Sequence, residues 1–340
     1  MHLLLDELTA LSRTPYFSKS LEQYLDNLIQ AVQHVTSRFD SFPSNVTDQI
    51  AQSVWLATKY LQGGTSKTVP YETVYALRLA LKDWVVHPCA ITTALRDDLD
   101  YHFWSIDPGK VLEKFIPGVA FDSELIQIAL PKLYRHFPLY NVALYHELGH
   151  FVDNKCGVIS FSLILRPPKT VQESAIVESH RKEHFSDLFA ACYTGNAISL
   201  FLDSIAHDAP FSVTHPATVA RTKVIEDFLS GTPNPIVDFY QDVLSKRGLP
   251  ELTRRYVSPS INASFDAIRT YPIANDEELH GLLDSGWNYL CQAYEQKNEP
   301  WSAVSKQEIM RIINDLIEKS IRNRMIKLKW SDAINNGTTA

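Results

Sequence analysis

Apolar side chains recur every three or four residues along most of the chain, which is the period of an amphipathic helix. In the first 105 residues these positions are Leu21, Tyr24, Leu25 and Leu28, followed by Tyr71, Val74, Leu77, Leu81 and Val85. Helical patterns resume at about Val171 and continue in several segments towards the last residue. The pattern predicts four to five helices in the N-terminal region and a helical C-terminal region.

Two short apolar runs predict strands between these regions. Residues 125–130 read LIQIAL and are followed by Pro131, which predicts an edge strand because proline cannot donate to a central ladder. Residues 157–165 read GVISFSLIL and predict a second strand. We therefore expect an α+β protein that is mainly helical and contains a small sheet.

Proline and glycine mark where elements begin and end. Pro138 suits the first turn of a helix that runs to about Asn154, and Gly157 is placed to end that helix. Residues 108–118 contain two prolines and two glycines, which predicts a boundary between regions.

Composition and charge argue against several classes of protein. The 340 residues are 45% hydrophobic, enough for a large core, and their net charge of −7 offers no positive field for nucleic acid. The four cysteines are far apart, which favours a reducing compartment. The start, MHLLLDELTA, lacks the basic region of a secretory signal, and no uninterrupted run of about 20 apolar residues follows. We predict a cytoplasmic protein without a membrane span or a nucleic-acid partner.

The most informative motif is HELGH at residues 146–150. His146 and His150 lie one turn apart on a helix, so both imidazoles point towards one spot and can bind one Zn²⁺. Glu147 is then placed beside a zinc-bound water and can take its proton. Apart from this glutamate and the two histidines, residues 139–152 carry no charge, as expected for a buried helix. The alternative is a buried helix with two hydrogen-bonded histidines.

A third protein ligand is needed, because catalytic zinc commonly has three protein ligands and one open position. The best candidate is Glu183, with Asp187 one turn further along the same predicted helix. Asp187 could then accept a proton from a ligating imidazole and fix its tautomer. A solvated charged face is the alternative interpretation, since Arg181 and Lys182 lie on this helix.

A second zinc signature overlaps this helix. Residues 180–184 read HRKEH and match the inverted motif, with His180 and His184 as ligands and Glu183 as base. We prefer HELGH because two cations inside the inverted motif would weaken the binding of a dication. Either histidine could also replace Glu183 as the third ligand.

These motifs occur in the order LIQIAL, HELGH, Glu183 with Asp187, His215-Pro216, and Arg221. In this order the chain resembles the gluzincin zinc metallopeptidases, most closely the branch that contains CAAX prenyl proteases and HtpX-like proteases. The resemblance covers about residues 120–230 and implies a zincin-like catalytic core. With the boundary at residues 108–118, we expect this core at 108–230, between helical regions at 1–107 and 231–340. The resemblance also implies that His215 and Arg221 bind the substrate carbonyl and the developing oxyanion.

The chain departs from that branch in two ways. The membrane spans of the branch are missing, and only 32 residues separate His150 from Glu183. Shorter connections occur in ImmA-like metallopeptidases, which do not obviously share His215 and Arg221. We therefore expect a relative without membrane spans and do not carry over prenylated peptides as substrates.

The expected function is a zinc metalloendopeptidase with one Zn²⁺ per chain and a protein or peptide substrate. Glu147 would act as general base on the metal-bound water, and the LIQIAL strand would offer backbone groups to an extended peptide. Two alternatives stay open. One is a catalytically silent regulatory protein on a metallopeptidase fold, whose helical flanks bind a partner. The other is a self-inhibited protease that a partner or ligand activates.

Overall fold

The apolar stripes of the sequence form helices along most of the chain. The computed structural model describes residues 1–14, 19–65, 71–85, 87–104, 107–296 and 299–337. Helices account for 67% of the described residues and strands for 6%. The predicted α+β class with a mainly helical chain is confirmed.

The chain divides into two compact units, which are described separately. Unit 1 comprises Met1–Arg78 and Val85–Arg135, and unit 2 comprises Leu79–Trp84 and His136–Ala340. The sequence predicts a catalytic core at 108–230 between helical regions at 1–107 and 231–340. This division stays a prediction, because it concerns function as well as structure.

Unit 1 consists of helices around one apolar core, together with a small sheet. Its described helices are α1 (His2–Ser12), α2 (Lys19–Ser37), α3 (Ser44–Gly63), most of α4 (Tyr71–Lys82) and α5 (Pro108–Phe115). The first predicted stripe, from Leu21 to Leu28, is buried on α2 as expected. Residues 108–118, predicted as a boundary, lie inside unit 1. Their first eight residues form α5, whose first turn is capped by the Asp107 carboxylate.

The sheet of unit 1 corrects two sequence-based expectations. Its strands are β1 (Cys89–Arg96), β2 (His102–Trp104) and β3 (Glu124–Pro131), in the order β1-β3-β2. The LIQIAL run is therefore a central strand, and its prediction as an edge strand is wrong. Pro131 occupies only the last position of β3, where a missing donor interrupts no further pairing. The N-terminal region also contains β1 and β2, which its helical pattern did not predict.

The regular elements of unit 2 are all helices among its described residues, joined by irregular segments such as residues 249–261. It contains the end of α4, a 3-10 turn at Tyr140–Val142, and α6 (Ala143–Cys156), α7 (Val158–Leu165), α8 (Val171–Thr194), α9 (Ala197–Ala206), α10 (Thr218–Ser230), α11 (Pro235–Arg247), α12 (Asn262–Asp266), α13 (Asp276–Gln296) and α14 (Lys306–Gly337). None of the described helices combines the length and the apolar character that a membrane crossing requires.

The helix that carries HELGH begins later than predicted. The chain after Pro138 forms the 3-10 turn first, and α6 starts at Ala143. Gly157 ends α6 as predicted, in a left-handed conformation with a φ of 64° that favours glycine. The following run, predicted as a strand, is helix α7, and that prediction is wrong. A short apolar run does not distinguish a strand from a buried helix, and Val158, Ile159 and Ser162 here bury one helical face.

Two C-terminal helices hold the segment that leads into α6. The backbone N–H of Leu139 donates to Asn314 Oδ1 of α14 at 3.0 Å. The backbone carbonyl of Leu139 accepts from Trp287 Nε1 of α13 at 2.9 Å. Both partner side chains are buried, so the position of this segment is fixed from two directions.

Candidate metal centre

Helices α6 and α8 approach each other closely at a glycine of the HELGH motif. A Cβ atom on Gly149 would lie 2.8 Å from Ser186 Cα, closer than real Cβ atoms come to other atoms. Only glycine allows this approach of the two backbones. The pairing brings the two histidines of α6 beside the carboxylates of α8.

The three predicted metal ligands converge at this contact. His146 Nε2 and His150 Nε2 are 3.0 Å apart. Glu183 Oε2 lies 3.4 Å from His146 Nε2, and Glu183 Oε1 lies 3.5 Å from His150 Nε2. Among the described residues, this is the group of histidine, cysteine and acidic side chains that could hold a metal ion. Two imidazoles and one carboxylate are a donor set that zinc uses.

One atom of this group supports a bound cation. Glu183 Oε2 is buried and makes no hydrogen bond within normal geometry. Burial by itself would raise the pKa of Glu183, but the neighbouring His146 lowers it to about 2. A buried carboxylate oxygen without a hydrogen bond is costly. A metal ion between the imidazoles and this oxygen would satisfy it, so the residues fit the predicted metal.

The outer nitrogen of each histidine also has a partner on α8. His146 Nδ1 lies 2.9 Å from Asp187 Oδ1, and His150 Nδ1 lies 2.9 Å from Ser186 Oγ. When Nε2 binds a metal, Nδ1 carries the proton and donates to these oxygens, which fixes the tautomer and the ring orientation. Asp187 therefore has the contact that the sequence predicts for it.

Asp187 is in turn held by Arg221 of α10. Arg221 Nε and Nη2 each donate to one oxygen of Asp187 at 2.7 Å. Burial by itself would raise the pKa of Asp187, but the Arg221 charge and hydrogen bonds hold it well below its usual range. Arg221 Nη2 also lies 3.3 Å from Glu183 Oε2. The guanidinium is buried within the centre itself.

In the absence of a metal, the two histidines titrate as a pair. Burial lowers the pKa of His146, but its contacts with Asp187 and Glu183 outweigh this effect and raise the pKa to about 10. Burial and the His146 charge lower the pKa of His150 to about 3. One proton is therefore bound between the two facing Nε2 atoms at neutral pH. Glu183 and Asp187 thus favour a positive charge at the point where the predicted ligands converge.

Glu147 lies next to His146 and is partly buried. Burial raises the pKa of its carboxyl group to about 7, an effect that His146 partly opposes. A group with this pKa accepts and returns a proton readily at neutral pH, which suits the predicted general base.

His215 approaches the same carboxylate from the loop between α9 and α10. Its Nε2 atom lies 3.6 Å from Glu183 Oε2, while the side chain remains 54% exposed. The structure therefore brings His146, Glu147, His150, Glu183 and Asp187 together with His215 and Arg221, the seven residues predicted for the site.

The histidines of the inverted motif have other surroundings. His180 Nε2 lies 2.8 Å from the backbone carbonyl of Ser212. His184 is largely buried, and its Nδ1 atom makes no hydrogen bond. Neither belongs to the group that could hold a metal ion within the described part of the chain.

Sequence reasoning missed Ser186 and Gly149. Ser186 lies three residues after Glu183 and directly before Asp187, so these three residues share one face of α8. That spacing is a signal which could have identified Ser186 as a partner of the second histidine. The role of Gly149 depends on how closely α8 packs, and a single sequence does not contain that information.

No protein-family model, curated protein or solved structure matches this chain. The interpretation of the centre therefore depends on its own residues, and the resemblance to gluzincins stays a prediction.

Proposed function

We propose that this chain is a zinc-dependent metallopeptidase that hydrolyses peptide bonds. The observation that carries the proposal is the convergence of His146, His150 and Glu183 from two helices, with Glu147 beside them. These three residues would hold the zinc. When bound, Zn²⁺ would supply Lewis acidity, which acidifies a coordinated water and polarises a carbonyl group.

Glu147 would move the protons of the reaction. With its pKa raised to about 7, its carboxylate can take a proton from water and later return that proton to the leaving amine. The residue directly follows the proposed metal ligand His146 and is not itself part of the ligand group. These features support a general base rather than a fourth ligand.

His215 and Arg221 would have different roles. His215 is half-exposed, so its ring can donate to the oxygen of a substrate carbonyl. Arg221 is buried and uses Nε and Nη2 to bind Asp187. These contacts favour a positioning role, in which Arg221 holds Asp187 and Asp187 orients His146, over the substrate contact that the resemblance implies.

The proposal is tested by metal analysis of the purified wild type beside the His146→Ala, Glu183→Ala and Glu147→Gln variants. We expect one zinc per chain in the wild type and in Glu147→Gln, and a loss of zinc from the other two. Peptide cleavage by Glu147→Gln should fall by about 100- to 10,000-fold. Wild-type cleavage rates in Glu147→Gln would remove this residue from the mechanism, and zinc binding without cleavage of any peptide would favour the catalytically silent alternative.

A further inference from the structure

The segment between α9 and α10 forms a compact closed loop. Thr218 N–H donates to the carbonyl of Ala209 at 3.0 Å, which joins the two ends of the loop. Inside it, Ser212 N–H donates to the carbonyl of His215 at 2.9 Å, and His215 N–H donates to Ser212 Oγ at 2.9 Å. Compact surface loops with closed ends are frequently functional.

This loop is attached to α8 beside the candidate metal centre. His180 Nε2 lies 2.8 Å from the carbonyl oxygen of Ser212, and the rings of His180 and Phe211 meet edge to face with centroids 4.7 Å apart. His180 is three residues before Glu183 on α8. At the other side of the loop, His215 approaches Glu183 itself. The loop therefore lies along α8 at the candidate ligand.

The loop and its flanks expose an unusual share of apolar surface. Of the 15 large apolar side chains that are exposed in the described chain, four lie between residues 205 and 219: Ile205, Phe211, Val213 and Val219. Phe211 is 61% exposed and Val213 is 60% exposed. Four exposed apolar side chains within 15 residues offer apolar surface that is available to a ligand.

The lack of charged residues in this segment indicates which kind of ligand group it can bind. Residues 209–220 contain no aspartate, glutamate, lysine or arginine. A charged ligand group would therefore find no counter-charge within this segment, whereas an apolar side chain would lose its contact with water against Phe211 and Val213.

We infer that Phe211 and Val213 bind an apolar side chain of an extended peptide substrate, next to the bond that is cleaved. The inference rests on the proposed function and adds the substrate class to it. His215 places this apolar surface close to the proposed site of cleavage. It lies two residues after Val213, and its ring faces Glu183.

The experiment compares cleavage sites in a peptide library made by tryptic digestion of a whole proteome. The zinc-loaded wild type should cut with a strong enrichment of Leu, Ile, Val, Phe or Met within two positions of the cleaved bond. Phe211→Ser and Val213→Ser should lower kcat/KM for such peptides by about tenfold relative to matched peptides with Ser at that position. Phe211→Leu and Val213→Ile should retain the preference.

Zinc content and melting temperature separate this effect from loss of the centre or of the fold. Both should match the wild type in the serine variants, because the two side chains are largely exposed. Val257→Ser is the matched control. This valine is 55% exposed, and its N–H donates to Glu277 near the start of α13. The control should cleave like the wild type.

Two results would overturn the inference while zinc-dependent cleavage persists. One is a wild type that shows no apolar enrichment, and the other is an unchanged preference in both serine variants. By contrast, a wild type that cuts no peptide, or a Glu147→Gln variant that cuts equally fast, would overturn the proposed function and the inference together.

Discussion

Arg221 binds Asp187 through two parallel hydrogen bonds of 2.7 Å, and both side chains are buried. Asp187 also accepts from His146, so the arginine acts on the first predicted metal ligand through one intermediate residue. The planar guanidinium matches both carboxylate oxygens, which an ammonium group does not.

Arg221→Lys should weaken zinc binding by about tenfold, because lysine keeps the charge but holds only one carboxylate oxygen. Arg221→Ala should lower the free energy of unfolding by about 3–5 kcal/mol, because it leaves Asp187 buried without its counter-ion. Zinc titration and chemical denaturation measure the two effects. Arg254→Lys is a suitable control, since this arginine donates to the carbonyl of Leu229 instead. Unchanged zinc affinity in Arg221→Lys would argue against the positioning role.

Ser186→Ala should lower zinc affinity by about 10- to 100-fold, because His150 loses the oxygen that orients its ring. The melting temperature should change little by comparison. Ser320→Ala, which removes a buried hydrogen-bonded hydroxyl from α14, is the matched control and should leave zinc affinity unchanged. Equal zinc affinity in Ser186→Ala and the wild type would show that Ser186 has no role in the centre.

Gly149→Ala should lower the free energy of unfolding by about 1–3 kcal/mol, because its methyl group would overlap the backbone of α8. It should also weaken zinc binding, since α6 and α8 each carry proposed ligands and would be pushed apart. Gly64→Ala provides the comparison, because the nearest atom to its added methyl group would be 3.4 Å away. Denaturation and zinc titration of both variants check the prediction, and equal behaviour would contradict it.

Zinc binding should release about one proton per chain at pH 7, because the metal replaces the proton held between His146 and His150. The pKa of His146, raised to about 10, keeps that proton bound without metal. Zinc affinity should therefore rise by about tenfold per pH unit between pH 6 and 8. The ionisation of Glu147 in the same pH range should make this rise steeper.

Calorimetric titration in two buffers of different ionisation enthalpy measures this release. Asp187→Asn should release fewer protons, because Asp187 helps to raise the pKa of His146. Zinc binding that does not depend on pH would contradict the prediction.

The local spacing in HELGH was sufficient to predict that His146 and His150 share one face of α6, because helical geometry alone brings residues four apart to one face. The sequence order also pointed to Glu183 and Asp187, since they share one face of α8. The partners of Arg221 could not be predicted, because they depend on the placement of α10 against α8. The same limit applies to Gly149, whose constraint comes from a neighbouring backbone.

The fold was predicted well where the pattern was long and periodic, as in α2. It was predicted poorly for short apolar runs, because a run of this length is compatible with either a strand or a short helix. GVISFSLIL became a helix for this reason, and LIQIAL became the middle of its sheet. The strand β1 is as long as β3 but was missed, because it follows a helical stripe.

The hydrogen bonds of Leu139 set a limit on how far this protein can be shortened. A fragment that ends at residue 230 would retain every predicted ligand and the general base, yet it would lack Trp287 and Asn314. Both backbone groups of Leu139 would then lose their buried partners just ahead of α6. The smallest autonomous catalytic fragment should therefore include α13 and α14, although neither helix carries a predicted catalytic residue.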